Sequence, residues 1–308
     1  MKILIIGGTY FFGRAFTELL VKEKAKRTKK DEQIEIYLLN RGNVEAPYGI
    51  NGSCACDRHD TDALKDSGLF MEHFDVIADF CAYKEGDISS FLDALKPEFE
   101  QYIFISTCDV YRRFEGKAQD EEAPFEDRDY PGQEGEYIKG KIRLENELRE
   151  ACGARNAAFT SIRPAIIYGP GNYAPREGIY FNWIEKAGQI LQPYDATGSF
   201  QLVYVEDAAR AVFQVCMNEQ AYNEAFNVCG PKLYTYNDFL KALKKAVTRK
   251  FECVYMTVGE INKKQIALPF PLTELESEEY TGEKIKKLGI SYRALEEGLA
   301  QSWLSHAY

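Results

Sequence analysis

The 308-residue chain is 45% hydrophobic and 28% charged, proportions of a globular protein that exclude intrinsic disorder and collagen-like repeats. Its 38 Lys and Arg against 48 Asp and Glu leave a net charge of −10, which disfavours nucleic acid as a partner. The length suits one large α/β unit or two intimately packed halves.

Met1-Lys2 leads straight into an apolar run at 3–6, with no charged leader and long apolar core before it, so no signal peptide is expected. No apolar run approaches the roughly 18 residues of a membrane-spanning helix. A glycine turn, Gly7-Gly8-Thr9-Tyr10-Phe11-Phe12-Gly13, separates this first strand from an amphipathic stretch over 12–24. Placed between strand and helix, such a turn can bring backbone N–H groups and a helix N-terminus against a pyrophosphate. Tyr10 stands at the middle position, where glycine is usual, so its side chain must point away from the phosphates or lie over them. The charge run at 22–33 reads as a solvated helix end and loop, with docking of an acidic partner the minor alternative.

The next strand, 34–39, exits through Asn40-Arg41-Gly42. An acid there would bond the ribose hydroxyls of NAD and repel a 2′-phosphate, whereas Arg41 can pair with that phosphate, so NADP is expected, with NAD the alternative. Asp57, after a third strand, either accepts from an adenine amino group or caps the following helix. Further strands are expected at 74–78 and 102–106, with a helix at 87–95 between them, then a charged helix at 136–151 and a strand at 159–163. This alternation predicts an α/β fold of Rossmann type, a doubly wound parallel sheet with helices on both faces. After Pro164 the pattern loosens into Tyr-, Pro- and Gly-rich turns around 168–173 and 193–198. The expected organisation is a dinucleotide-binding domain over 1–165, joined by parts of 200–230, interleaved with a smaller C-terminal substrate lobe over 166–308.

The eight cysteines follow neither a paired framework nor a zinc pattern, so reduced cytoplasmic thiols are expected and no metal. Cys54-Ala-Cys56 with His59 is the tightest group, and thiols filling small spaces are its favoured reading.

Tyr137 and Lys141 lie four apart on the charged helix and hence on one face. An unperturbed phenol is a poor base at neutral pH, and a neighbouring ammonium with a nicotinamide cation makes it a usable acid/base. With the glycine turn and the Ser106-Thr107 pair after a strand, the chain resembles an extended short-chain dehydrogenase/reductase of the NAD-dependent epimerase/dehydratase family. The resemblance rests on the glycine turn, Phe104-Ile105-Ser106-Thr107-Cys108-Asp109-Val110-Tyr111, Tyr137-x-x-x-Lys141-x-x-x-Glu145, Arg163-Pro164-Ala165-Ile166-Ile167-Tyr168-Gly169-Pro170 and Tyr204-Val205-Glu206-Asp207-Ala208-Ala209, in family order. It is most similar to the atypical branch with Gly-Gly-Thr-Arg-Phe-Ile-Gly and Asn-Arg-Gly signatures, which includes chloroplast stem-loop RNA-binding proteins. Tyr10 replaces that branch's arginine.

The resemblance implies that Thr107 holds a substrate hydroxyl or carbonyl, Tyr137 exchanges its proton and Lys141 anchors the nicotinamide ribose. It also implies that Pro164 and Ile167 pack near the nicotinamide and that Phe80, Cys81 and Ala82 line the cofactor. In relatives the helix of Tyr137 often builds a dimer bundle, and the outer face of Arg143, Glu147, Arg149 and Glu150 leaves a homodimer open. Cys108 stands where 4,6-dehydratases carry an acid, so that reaction is not expected, and Asp109 either faces the substrate or serves a structural turn. Two arginines that clamp nucleoside-diphosphate sugars are missing: Phe200 occupies the first position, and no Arg occurs between 249 and 293. Arg176, Lys263 or Lys264 could substitute for them. The favoured function is an NAD(P)-dependent oxidoreductase or epimerase acting on a sugar-like small molecule. The alternative is a cofactor-binding RNA-interacting or regulatory protein without turnover.

Overall fold

The computed structural model describes residues 1–29, 33–68, 73–95, 97–112, 117–129 and 131–306. In chain order the elements are β1 (Lys2–Ile6), α1 (Phe11–Lys26), β2 (Glu35–Asn40), β3 (Gly52–Ala55), α2 (Thr61–Asp66), β4 (His73–Asp79), α3 (Asp87–Leu95), β5 (Glu98–Ile105), α4 (Gly132–Gly153), β6 (Ala158–Pro164) and β7 (Ile166–Tyr168). There follow α5 (Glu177–Ala187), β8 (Gln189–Pro193), β9 (Ser199–Tyr204), α6 (Val205–Val215), β10 (Glu224–Val228), β11 (Leu233–Thr235), α7 (Tyr236–Ala246), β12 (Glu252–Met256), α8 (Val258–Lys263), α9 (Glu283–Lys286) and α10 (Leu295–His306). Residues 30–32 of the charge run lie outside the described residues.

Seven strands form one parallel sheet in the order β10-β6-β5-β4-β1-β2-β3. Alternate side chains of β1 point to opposite faces, as strand geometry requires. Ile3 and Ile5 join Phe16, Ala208 and Val212 under α1 and α6, while Leu4 and Ile6 join Phe91, Leu92, Leu144 and Leu148 under α3 and α4. Both faces are therefore apolar, the condition under which a parallel sheet is stable. The fold is of Rossmann type.

The remaining strands make a three-stranded sheet, β11-β9-β7, and a parallel pair, β12-β8. They enclose a separate aromatic core of Tyr180, Phe181, Phe200, Tyr236, Phe239, Phe270 and Trp303. The chain leaves the large sheet after β6, builds β7 to β9, and returns through α6 and β10 to complete it. Among the described residues no helix is long and apolar enough to cross a membrane.

Helix α4 begins at Gly132, earlier than the expected 136, because the chain turns into it at Pro131 through residues with no apolar signal. Glu147 does not sit on a free outer face: its carboxylate accepts from the backbone N–H groups of Gly86 (2.7 Å), Ile88 (3.1 Å) and Ser89 (2.6 Å). It thus caps the start of α3 from a neighbouring helix, satisfying donors that a helix leaves unpaired.

Candidate functional site

A cavity of about 910 Å³ opens at the carboxyl ends of β1, β2, β4 and β5, where open α/β sheets place their ligands. At its floor β1 turns through Gly7, whose φ of +84° lies in the left-handed region. Helix α1 then comes so close to this turn that a Cβ on Gly13 would collide with the Gly7 carbonyl oxygen. The Thr17 hydroxyl donates between the carbonyls of Gly8 (2.8 Å) and Gly13 (3.0 Å), locking helix to turn. Gly7, Thr9, Tyr10, Phe11, Phe12 and Gly13 all line the cavity, and Phe11 holds an unusual φ of +39°. The Tyr10 ring is 53% exposed and meets Tyr173, which is 65% exposed and belongs to the loop between β7 and α5, with 5.5 Å between ring centroids. Phe11 meets the same ring edge-on at 5.9 Å. The unusual tyrosine therefore reaches sideways across the cleft.

At the far end Asn40 and Arg41 line the cavity where β2 stops. The Asn40 carboxamide accepts from the Gly42 N–H (2.7 Å) and sets the turn that presents the exposed Arg41. Asp57 is also on the wall, and its carboxylate accepts from the His59 N–H (2.9 Å). It does not cap α2; Asp60 does, accepting from the Ala63 N–H (3.0 Å). His59 faces Asp87 at 3.5 Å, away from the two sulfurs of Cys54 and Cys56, which lie 3.4 Å apart.

Beneath this end lies a buried ion pair that the sequence reading missed. Arg58 spans both carboxylate oxygens of Asp79 (3.0 and 2.9 Å) and donates to the Asp87 carbonyl (2.6 Å). Burial would push Asp79 up, but the charge and hydrogen bonds of Arg58, the Tyr102 hydroxyl and the Cys81 N–H hold it below the usual carboxylate range. Removing one partner of such a pair strands the other charge. Its signals were a basic residue directly after Asp57 and an acid ending the apolar run of β4.

Thr107, Asp109, Tyr137 and Lys141 come together at the other end, with Phe80, Cys81, Pro164 and Ile167 along the same wall. Ala82 does not line the cavity: its methyl packs into the core beneath α3, and its carbonyl accepts from Lys141. The Lys141 ammonium is buried and donates to the carbonyls of Ala82 (2.8 Å) and Ile105 (2.7 Å). It lies 4.7 Å from the ring centre of Tyr83, 4.8 Å from that of Phe104 and 5.8 Å from that of Tyr137. Burial lowers its pKa to about 8, against the upward pull of Asp79, Cys81, Glu145 and Asp87.

Tyr137 keeps 37% of its surface exposed. Burial of its phenol and the charge of Asp109 push its pKa up, while the Thr107 hydroxyl and Arg176 pull it down. Thr107 donates to Asp109 (3.0 Å) and accepts from the Asp109 N–H (3.2 Å), so this carboxylate both fixes the threonine and reaches the cavity.

Behind these residues a polar scaffold sets the angle of α4. Glu145, one turn beyond Lys141, accepts from two of the three guanidinium nitrogens of buried Arg163 (2.8 and 2.6 Å). Arg163 also donates to the Tyr111 hydroxyl (2.7 Å), which donates to Asn227 of β10 (2.6 Å). The loop from Gly169 to Arg176 is held by Glu177, which accepts from the Gly169 N–H (2.7 Å) and the Asn172 amide (3.3 Å). Burial raises the Glu177 pKa to about 7. This loop brings Tyr173 and Arg176 to the cavity, and one Arg176 nitrogen is tied to the Pro269 carbonyl (3.0 Å). Lys263 and Lys264 lie elsewhere, at the end of α8, and Phe200 is stacked on Phe270 in the aromatic core (4.3 Å).

Comparisons with known proteins bear on the family and the fold. The sequence model of the NAD dependent epimerase/dehydratase family matches residues 3–229. A curated relative, chloroplast stem-loop binding protein of 41 kDa b from Arabidopsis thaliana, is 32% identical over 259 residues, 80% of this chain and 63% of that protein. The chain thus spans less than two thirds of that relative's length. Among solved structures, the UDP-glucose 4-epimerase of Thermotoga maritima with UDP-glucose superposes with a TM-score of 0.75 at 19% identity, covering 100% and 99% of the two chains. The UDP-glucose 4-epimerase of Thermus thermophilus with NAD gives 0.74 at 17% identity over 100% and 99%. The chain belongs to the NAD-dependent epimerase/dehydratase family.

Proposed function

We propose that the chain is a cytoplasmic, NADP-dependent oxidoreductase of the extended short-chain type, with epimerase-like chemistry on a hydroxyl- or carbonyl-bearing, sugar-like substrate. One observation carries the reading. Tyr137, Thr107 and the buried ammonium of Lys141 open on the same cavity as the glycine turn.

The residues present fit a dinucleotide. Gly13 leaves no room for a side chain against Gly7, and the exposed Arg41 at the end of β2 favours a 2′-phosphate where an acid would oppose it. A bound nicotinamide would supply the hydride acceptor or donor. The chain's own part is to orient the reactants and move the proton. Tyr137 exchanges a proton with the substrate oxygen, and the nearby Lys141 charge favours its phenolate. Thr107, whose own proton goes to Asp109, keeps acceptor capacity for a substrate hydroxyl. Cys108 is buried and donates to the Arg163 carbonyl (3.0 Å), which weighs against a 4,6-dehydratase using that position as its acid.

Tyr137→Phe is expected to abolish turnover and leave NADP affinity in calorimetry within about twofold, because only the proton donor is lost. Retained turnover overturns the assignment of Tyr137, and failure of both NADP and NAD to bind overturns the enzyme reading.

The similarity to a stem-loop binding protein favours a second reading, a cofactor-binding protein that contacts RNA without turnover. Binding to structured RNA whose affinity falls steeply with salt, together with no turnover, would select it.

A further inference from the structure

The thiols of Cys54 and Cys56 lie 3.4 Å apart at the adenosine end of the cavity, and no role in the reaction uses them. Cys54 is half-buried in β3, the edge strand of the large sheet. Cys56 lines the cavity wall beside Asp57. We propose that this pair is a thiol–disulfide exchange site and that its oxidation weakens binding of the cofactor; the second half rests on the function proposed above.

A small-molecule disulfide of the glutathione type is the oxidant. The Cys54 thiolate attacks one sulfur of that disulfide, forming a mixed disulfide and releasing one small thiolate. Cys56 then gives up its proton to solvent and attacks the Cys54 sulfur, expelling the second small thiolate. Two protein thiols become one disulfide, two electrons pass to the small molecule, and both of its sulfurs leave as thiols. Burial and the hydrogen bond and charge of Cys54 push the Cys56 pKa up to about 12, which disfavours Cys56 as the first thiolate to attack.

The link to the cofactor follows from strand geometry. Two extended residues span about 6.6–7 Å between Cα atoms, at or beyond the upper edge of the roughly 4.4–6.8 Å that a disulfide tolerates. Cys54 lies in β3 and Cys56 one residue past its end, at a bend, so a bridge that draws the two together tightens that bend. The Cys56 N–H donates to the Asn40 carbonyl (2.8 Å), tying the bent segment to the turn that presents Arg41. Asp57 follows directly. Oxidation thus shifts both walls of the adenosine end together.

The test uses the whole chain, titrated with oxidised glutathione, with peptide mass mapping and NADP calorimetry on each sample. The peptide holding both cysteines should lose two hydrogens, and NADP affinity should fall by about tenfold or more, with recovery on adding dithiothreitol. Cys54→Ser should bind NADP like the reduced wild type and no longer respond to the oxidant. A peptide that keeps both thiols, or stops at the mixed disulfide, overturns the exchange site. A bridge that forms without changing an established NADP affinity overturns the coupling alone. Failure of the reduced protein to bind either cofactor overturns the coupling and the function proposed above, while the mass map still reads the bridge.

Discussion

Lys141 donates to two carbonyls and sits among three aromatic rings, contacts that favour its charge, yet burial brings its pKa down to about 8. On the function proposed above, the Lys141 ammonium favours the Tyr137 phenolate; that charge is present below this pH and lost as pH rises through it. The alkaline limb of kcat/KM should therefore break near 8 and not near the ordinary lysine value. Lys141→Arg, which stays charged, should remove that break even if overall rates are lower. Arg41 gives a second expectation at this scale. Arg41→Ala should weaken NADP by about tenfold or more, the worth of a charge-assisted phosphate contact, and leave NAD within about twofold. Parallel calorimetry with the two cofactors reads the difference.

The site was legible in the sequence to different degrees, residue by residue. Tyr137, Lys141, Thr107 and the glycine turn could be found because each depends on local spacing within one strand exit or one helix face. Arg58 and Asp79 each carry a local signal but their pairing does not, because β1 and β2 separate β3 from β4 in the sheet and only the assembled fold brings the two charges together. Tyr173 and Arg176 lie in a turn whose composition announces a loop without saying which cleft it borders.

Between elements, the most informative contact is the carboxylate that α4 lends to α3. Glu147→Ala would leave three N–H groups at the start of α3 without their acceptor. The loss should be about 1–2 kcal/mol, seen as a fall in Tm of a few degrees by calorimetry, and Glu147→Gln should recover part of it. The Tyr10–Tyr173 contact makes a different prediction, since it joins the glycine turn to the loop after β7 over the cavity. Tyr173→Ala should speed release of bound NADP by several-fold in stopped flow and leave the melting temperature nearly unchanged, because the ring is largely exposed.

The large strands are legible as apolar runs flanked by turns, whereas nothing in the sequence marks the ends of β3. Its Gly52, Ser53, Cys54 and Ala55 carry small side chains on a half-exposed edge, and no hydrophobic rhythm marks them. The first turn of α4 escaped for the same physical reason, having no apolar residue to set its phase.

At the scale of the whole molecule, the Glu145–Arg163–Tyr111–Asn227 chain couples α4, β6 and β10, so the angle of the helix bearing Tyr137 depends on a strand added late in the sequence. The late return of α6 and β10 also dictates an order of events during synthesis. Until residue 228 has emerged from the ribosome, β6 is an unpaired edge and the face beneath α6 lacks its cover. A nascent chain stalled near residue 200 would carry the glycine turn, Tyr137 and Lys141, yet expose a strand template of the kind that drives aggregation. Its vulnerability to misassembly is therefore concentrated in the interval of translation between β6 and β10, and chaperone engagement should be densest there.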